Sequence, residues 1–313
     1  MSYKPTAWLL IVGIAAACGV SVWGVAWYRS RSLTPASLLK RIPAEDALVA
    51  YIDFSELRRG GLLQLLDGSK AGEDAEYQSF VRQTQFDYKK DLDTAIVAFA
   101  PTGRFLLLKG RFDWKSLRAY VESQNGKCAN SFCRMTGSAP ERRISFFPLR
   151  SNLMALAVSP DESAALRLNS VASGPEAQVP AAPVWLSIPT SVLKSSDSLP
   201  AGTRMFARSM ERAETVTLAF GPEGDGLAAR LNVRCPNEQE AADLASQLTR
   251  TTALLREMIE REHQKPNPAD LSGVLTSGAF RSEGRRVLGY WPIQRVFVQN
   301  VLGAPLPYGR GSE

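Results

Sequence analysis

Near its start the chain carries twenty-two consecutive residues without a charge, Ala7 to Tyr28 (AWLLIVGIAAACGVSVWGVAWY). As a helix rising about 1.5 Å per residue, such a stretch spans roughly 33 Å, the hydrocarbon thickness of a bilayer. Trp8 stands at one end and Trp23, Trp27 and Tyr28 near the other, where amphipathic rings favour the headgroup level. Arg29 and Arg31 follow as an interfacial stop. An apolar helix of this length is otherwise found in a large core, which suits an extreme N-terminus poorly. The expectation is therefore a single-pass signal anchor bound to membrane lipid through residues 7–28. Gly24-Val25-Ala26 also has the small-x-small form of a cleavage site. Ala15-Ala16-Ala17-Cys18 resembles a lipoprotein box, although the residues after Cys18 are apolar rather than a polar tether.

The anchor changes how the charge is read. The formal charge of +6 suggests nucleic acid, yet residues 1–41 hold Lys4, Arg29, Arg31, Lys40 and Arg41 and no acid. Removing those five from the 37 basic residues leaves 32 against 31 acidic ones over 42–313. A nucleic-acid domain needs a concentrated cationic surface to release counterions, and none is expected here. Apolar residues at 45% and charged residues at 22% fit a globular body with enough apolar side chains for a core.

The side of the membrane is contested by two signals. The basic residues after the apolar stretch would hold the C-terminal region in the cytoplasm. Cys128 and Cys133, in KCANSFCRM, are spaced to close a small loop in an oxidising compartment, or are two free thiols. With an N-terminal anchor ahead of a large domain, the reading leans to an extracytoplasmic, periplasmic placement.

Beyond residues 1–6 and the anchor, 29–46 reads as a polar tether with one helical turn at Pro35 to Leu39. Strand and helix periods then alternate. Ala47 to Phe54 is a strand, Ser55 to Leu66 a helix and Glu76 to Phe86 another. Thr94 to Ala100 and Phe105 to Gly110 make a hairpin. Asp113 stands as the N-cap of Trp114 to Ser123. Arg143 to Leu149 and Leu153 to Val158 form a second hairpin, and Ser159-Pro160-Asp161-Glu162 opens a helix. After a Gly/Pro/Ala linker at 174–183 the order repeats. It comprises strand Val184 to Pro189, helix Arg204 to Arg212, hairpin Thr215 to Phe220 with Leu227 to Val233, and a long helix from Asn237 to about His263. Hairpin Val274 to Phe280 with Arg286 to Trp291 and a closing helix Pro292 to Leu302 complete it, ahead of a disordered tail at 303–313. The expected class is α+β: two similar halves, 47–173 and 184–302, each an antiparallel sheet covered by helices on one face, related by internal duplication.

Chemistry-bearing constellations are sparse. His263 is the one histidine, which rules out a multi-histidine metal site and suits the C-terminal end of a helix dipole. No Gly-x-Ser-x-Gly elbow and no phosphate-binding glycine loop occurs. Asp53, Asp91 and Asp93 are the acids best placed for a divalent cation, but Lys89 and Lys90 stand beside Asp91 to neutralise it, and the expected role is a structural turn. Arg58-Arg59-Gly60-Gly61 reads as a turn, and Arg142-Arg143 as an interfacial pair. No cofactor is expected. Tyr290, Trp291 and Phe297 concentrate aromatics in the last segment and are the candidate partner surface, or else seal the second half's core.

Residues 42–125 resemble bacterial membrane-anchored envelope proteins of unknown function. The likeness rests on RIPAEDALVAYIDFSELR, on FDYKKDLDTAIVAF with FLLLKGRFDWKSLRAYV, and on the strand-to-helix turn Gly110-Arg111-Phe112-Asp113. It implies placement and fold and carries over no active-site residues. The function expected is non-enzymatic protein or peptide binding or scaffolding, with another envelope protein as partner and no nucleic acid. Its rivals are a membrane-tethered hydrolase or metal-dependent enzyme using Asp53 and Asp93, and a cytoplasm-facing membrane protein.

Overall fold

The computed structural model of the chain describes residues 34–65, 75–137, 139, 141–173, 178–194, 201–224 and 226–303. In chain order it comprises helix α1 (Pro35–Leu39), strand β1 (Leu48–Asp53), helices α2 (Phe54–Arg59), α3 (Leu62–Leu65), α4 (Ala75–Thr84) and α5 (Tyr88–Asp91), and strands β2 (Leu92–Ala100) and β3 (Gly103–Gly110). Helix α6 (Trp114–Ser123) is followed by β4 (Lys127–Ala129), β5 (Phe132–Thr136), β6 (Arg143–Arg150), β7 (Leu153–Ser159) and a 3-10 helix, Ala164–Asn169. Next come β8 (Val184–Ile188), α7 (Thr190–Lys194), α8 (Ala201–Ser209), β9 (Thr215–Glu223), β10 (Gly226–Arg234) and α9 (Glu238–Arg261). The described chain closes with α10 (Leu271–Thr276), β11 (Ala279–Glu283), β12 (Arg286–Ile293) and α11 (Arg295–Gly303).

All twelve strands join one sheet, in the order β11-β12-β10-β9-β8-β1-β2-β3-β7-β6-β5-β4. The seam is the antiparallel pair β1 and β8, where Tyr51 opposes Trp185 and their rings stack at 5.4 Å. Outward from this seam one side runs β2, β3, β7, β6 and the other β9, β10, β12, β11. The small hairpin β5-β4 extends the first side, and Cys128 and Cys133 face each other across it in a disulfide, with Cα atoms 4.1 Å apart.

Side chains alternate between the two faces of each strand, which sorts the layers. On one face Tyr51, Ile96, Phe105, Leu107 and Trp185 pack against Leu38 and Ile42 from the α1 region and Ala164 and Leu168 from the 3-10 helix. Phe105, Ile96 and Leu107 are fully buried, each stabilising by at most about 1.5–3 kcal/mol through burial. On the other face α6 lays Leu117 and Val121 over Phe146 and Met154. At the far end α8 and α9 lay Phe206, Leu244 and Leu248 over Val216, Val233 and Val287. Helix α9 starts where Asn237 Oδ1 accepts from the Glu240 amide at 2.8 Å.

Several expectations are corrected. Two separate sheets are expected; one continuous sheet is found, because pairing β1 with β8 satisfies two edges that separate halves would leave open. Helices lie on both faces, not one. The described part of the supposed tether, 34–46, adds to the core, since Ala36, Leu38 and Ile42 are buried. The helix expected over 55–66 breaks at Gly60-Gly61, where Gly61 takes a φ of 72°. The strand expected from Val274 is helical to Thr276, started by an Asp270 cap that accepts from Ser272 and Gly273 amides.

The single-pass membrane architecture is corrected as well. No helix among the described residues is long and apolar enough to cross a membrane. The longest, α9, has 24 residues but carries Glu238, Glu240, Asp243, Arg250, Arg256, Glu257, Glu260 and Arg261. The stretch 7–28, with Trp8, Trp23, Trp27 and Tyr28, and the following Arg29 and Arg31, lies outside the described residues. The lipid contact expected through 7–28 lies outside the described residues with it, and the single-pass, periplasmic placement finds no support among the described helices.

Candidate binding surface

Among the described residues, one part of the sheet is left bare by both helical layers. In β10 the residues Arg230, Asn232 and Arg234 are exposed while the alternating Ala229, Leu231 and Val233 are buried. In β12 Arg286 and Tyr290 are exposed while Val287, Gly289 and Trp291 are buried. The buried set meets α8 and α9. The exposed set forms the opposite face, which α1 and the 3-10 helix cover only in the first half of the sheet.

Register aligns this bare face into rows. Thr217, Asn232, Leu288 and Arg281 oppose one another across β9, β10, β12 and β11. Ala219, Arg230, Tyr290 and Ala279 form the next row. The segment 178–182 walls one side: Val179 and Ala182 pack against the first-half core, and Arg286 donates to Gln178 Oε1 at 3.3 Å. Between wall and strands lies a cavity of about 900 Å³, lined by Thr217, Arg230, Asn232, Arg281 and Tyr290 among others.

Its electrostatics are basic with acidic pins. The four strands carry Arg230, Arg234, Arg281 and Arg286 against Glu223 and Glu283. Alternation places all six on the bare side. Arg230 Nη2 meets Glu223 Oε2 at 2.9 Å, and Arg281 Nε meets Glu283 Oε1 at 2.8 Å. Arg234 and Arg285 share Glu214 at 3.2 and 2.9 Å. Partial burial, then the Glu223 carboxylate and its hydrogen bond from the Tyr290 hydroxyl, raise the Tyr290 pKa above that of an ordinary phenol. Glu223 thus holds both Arg230 and Tyr290 in place over the cavity. The chemistry on offer is donor-rich: guanidinium forks, an amide, a hydroxyl and an aromatic ring.

The three aromatics singled out in the sequence separate. Tyr290 stands on the bare face. Trp291, one residue on, is buried beneath α8 with its ring 6.0 Å from Phe206 and 5.1 Å from Phe280. Phe297 packs against the same core from α11. The structure adds Thr217, Arg230, Asn232 and Arg281; for Arg230 and Asn232 the signal was the apolar-polar alternation of ARLNVR.

The acids and basic pairs flagged in the sequence serve local structure. Asp53 caps α2, accepting from the Glu56 amide at 2.8 Å and from Ser55 Oγ at 2.6 Å. Asp91 pairs with Arg111 at 2.9 Å. Asp93 lies at an irregularity in the β2–β3 ladder between Leu92 and Thr94. Arg58 donates to the carbonyls of Lys89 and Leu92, and Arg143 and Arg134 both pair with Glu162. His263 is exposed just past α9 with a φ of 56°. Cys235 is buried, and desolvation pushes its thiol pKa up, away from nucleophile chemistry. Among the described residues no group of three or more His, Cys, Asp and Glu side chains is arranged to hold a metal ion.

No family model matches the chain, and no curated protein does. Among solved structures, crystal form III of TP0453 aligns over 85% of this chain and 97% of that one, at 10% identity and a TM-score of 0.49. Crystal form I of TP0453 covers 88% and 100% at 12% identity with a TM-score of 0.48. Similarity at this level establishes neither a shared fold nor a shared role.

Proposed function

We propose that this protein is a non-enzymatic binding protein that holds an extended, acidic segment of a protein or peptide across the bare face of β9, β10, β12 and β11. The reading is supported by one observation above all: two cross-strand rows bring Arg230, Arg281, Asn232, Thr217 and Tyr290 together over a single cavity, with no helix among the described residues covering them. Arginine forks fit carboxylates in bidentate fashion, and an extended ligand matches the row spacing of a sheet. The glutamates on the same face disfavour a polyphosphate backbone, whose binding depends on an uninterrupted cationic field. Asp53 is held as a helix cap, which leaves the carboxylate-enzyme alternative through Asp53 and Asp93 without support.

The test is fluorescence anisotropy with a labelled Glu- and Asp-rich peptide, a Lys-rich peptide of equal length and a single-stranded oligonucleotide. Saturable binding of the acidic peptide alone is expected, weakened roughly tenfold by Arg230→Ala or Arg281→Ala, the loss of one charge-assisted hydrogen bond. Equal affinity for all three ligands, or none for the acidic peptide, would remove this reading.

A further inference from the structure

A second cavity lies on the opposite face and the opposite side of the seam, under α4 and α6. It measures about 260 Å³ and its lining contains no charged group; Tyr120 brings the one hydroxyl. The sheet contributes Leu108, Met135, Ile144 and Met154, and Phe112 stands at the approach to α6. An engineered cavity of roughly 150 Å³ lined by such side chains stays dry and takes up benzene; this one is larger. Leu108, Phe112, Met135 and Ile144 all keep part of their surface in contact with solvent, although side chains of these types are usually found fully inside. The roof is aromatic and loosely tiled: Phe86 stacks on Phe112 at 5.3 Å, and Phe80 meets Tyr120 edge-on at 5.1 Å. Two methionines in the floor give it a surface that adapts to irregular apolar shapes.

We infer that this cavity is a binding site for an uncharged hydrocarbon body, either a free apolar small molecule or the alkyl tail of an amphiphile whose head stays outside. The absence of charge in the lining excludes a buried carboxylate or phosphate, because an unpaired ion there would be strongly destabilising. The volume sets the size at a medium-length alkyl chain or a fused pair of aromatic rings. This site shares no residue with the arginine-lined face, and its occupancy stands or falls independently of peptide binding there.

The experiment uses the full chain labelled with 13C at its methionine methyls and titrated with 1-decanol, decanoate and naphthalene. Saturable shifts of the Met135 and Met154 methyls are expected, with those of Met205 on α8 and Met210 in the second-half core unmoved. Equal binding of decanol and decanoate identifies an amphiphile's tail; binding of the uncharged pair alone identifies a free hydrocarbon. Ile144→Phe, which fills the cavity from the sheet side, is expected to reduce the affinity at least tenfold while the acidic peptide still binds. Should that variant fail to fold, the methyl shifts of the unaltered chain decide the matter alone. Shifts in Met205 or Met210 rather than Met135 and Met154, or no saturable shift with any of the three probes, overturn the assignment.

Discussion

Tyr290 and Trp291 are consecutive in β12 and face opposite sides of the sheet, the first 36% exposed over the arginine-lined cavity and the second 8% exposed in the second-half core. Replacing each with alanine should therefore separate binding from folding. Trp291→Ala removes a ring wedged among Phe206 and Phe280 and is expected to cost about 3–5 kcal/mol in urea unfolding. Tyr290→Ala is expected to stay within about 0.5 kcal/mol of the parent while weakening acidic-peptide binding several-fold. Equal loss of stability in both variants would contradict the assignment of faces.

Glu223 competes with any incoming carboxylate for Arg230 and Tyr290. Glu223→Gln should free the guanidinium and raise affinity for the acidic peptide several-fold. The same substitution should move the Tyr290 phenol back toward the ordinary value, since Glu223 is among the causes of its rise. Absorbance titration of the phenolate, with Tyr290→Phe as the reference, checks the direction.

The Cys128–Cys133 bond closes the hairpin that forms one edge of the sheet. A loop this short contributes about 2 kcal/mol through the entropy removed from the unfolded chain. Reduction with dithiothreitol should lower stability by up to that amount, and the Cys128→Ser, Cys133→Ser double variant should match the reduced parent and no longer respond to the reagent.

Burial first, then the Asp53 carboxylate, push the Tyr51 phenol up to about 12. Its folded pKa lies above the unfolded one of about 10. The contribution is fully present below pH 10 and is lost as pH rises through about 12. Tyr51→Phe should therefore flatten the alkaline limb of the stability profile by on the order of 2 kcal/mol across that window, measured by chemical denaturation from pH 9 to 12. No change in that limb would mean the phenol does not titrate with folding.

Local signals were the most readable in the sequence. Asn237 with Glu240 marks the start of α9, and Asp113 the start of α6, because a cap is a contact within four residues. The breaks were less readable. RRGG reads as a turn, and Gly61 with its left-handed φ does break the helix drawn across it, whereas ADLSGVLT carries the apolar pattern of a strand while its Asp270 cap makes it helical. The small β4-β5 hairpin was missed altogether, as strands of three and five residues give too little period to detect. Long-range pairing was invisible, since nothing in Val49 to Ile52 says that its neighbour is Val184 to Ser187. The binding face was half visible: alternation exposed Arg230 and Asn232, but only the register across four strands puts Thr217 and Arg281 beside them.

The β1–β8 seam has a consequence for any attempt to divide this protein. Cutting the chain between its two sides would strip each fragment of its innermost neighbour and bare a central strand with Tyr51 or Trp185 on it. Such a fragment should not persist as a monomer; it should recruit another copy of itself, strand against strand, in place of the partner it lost.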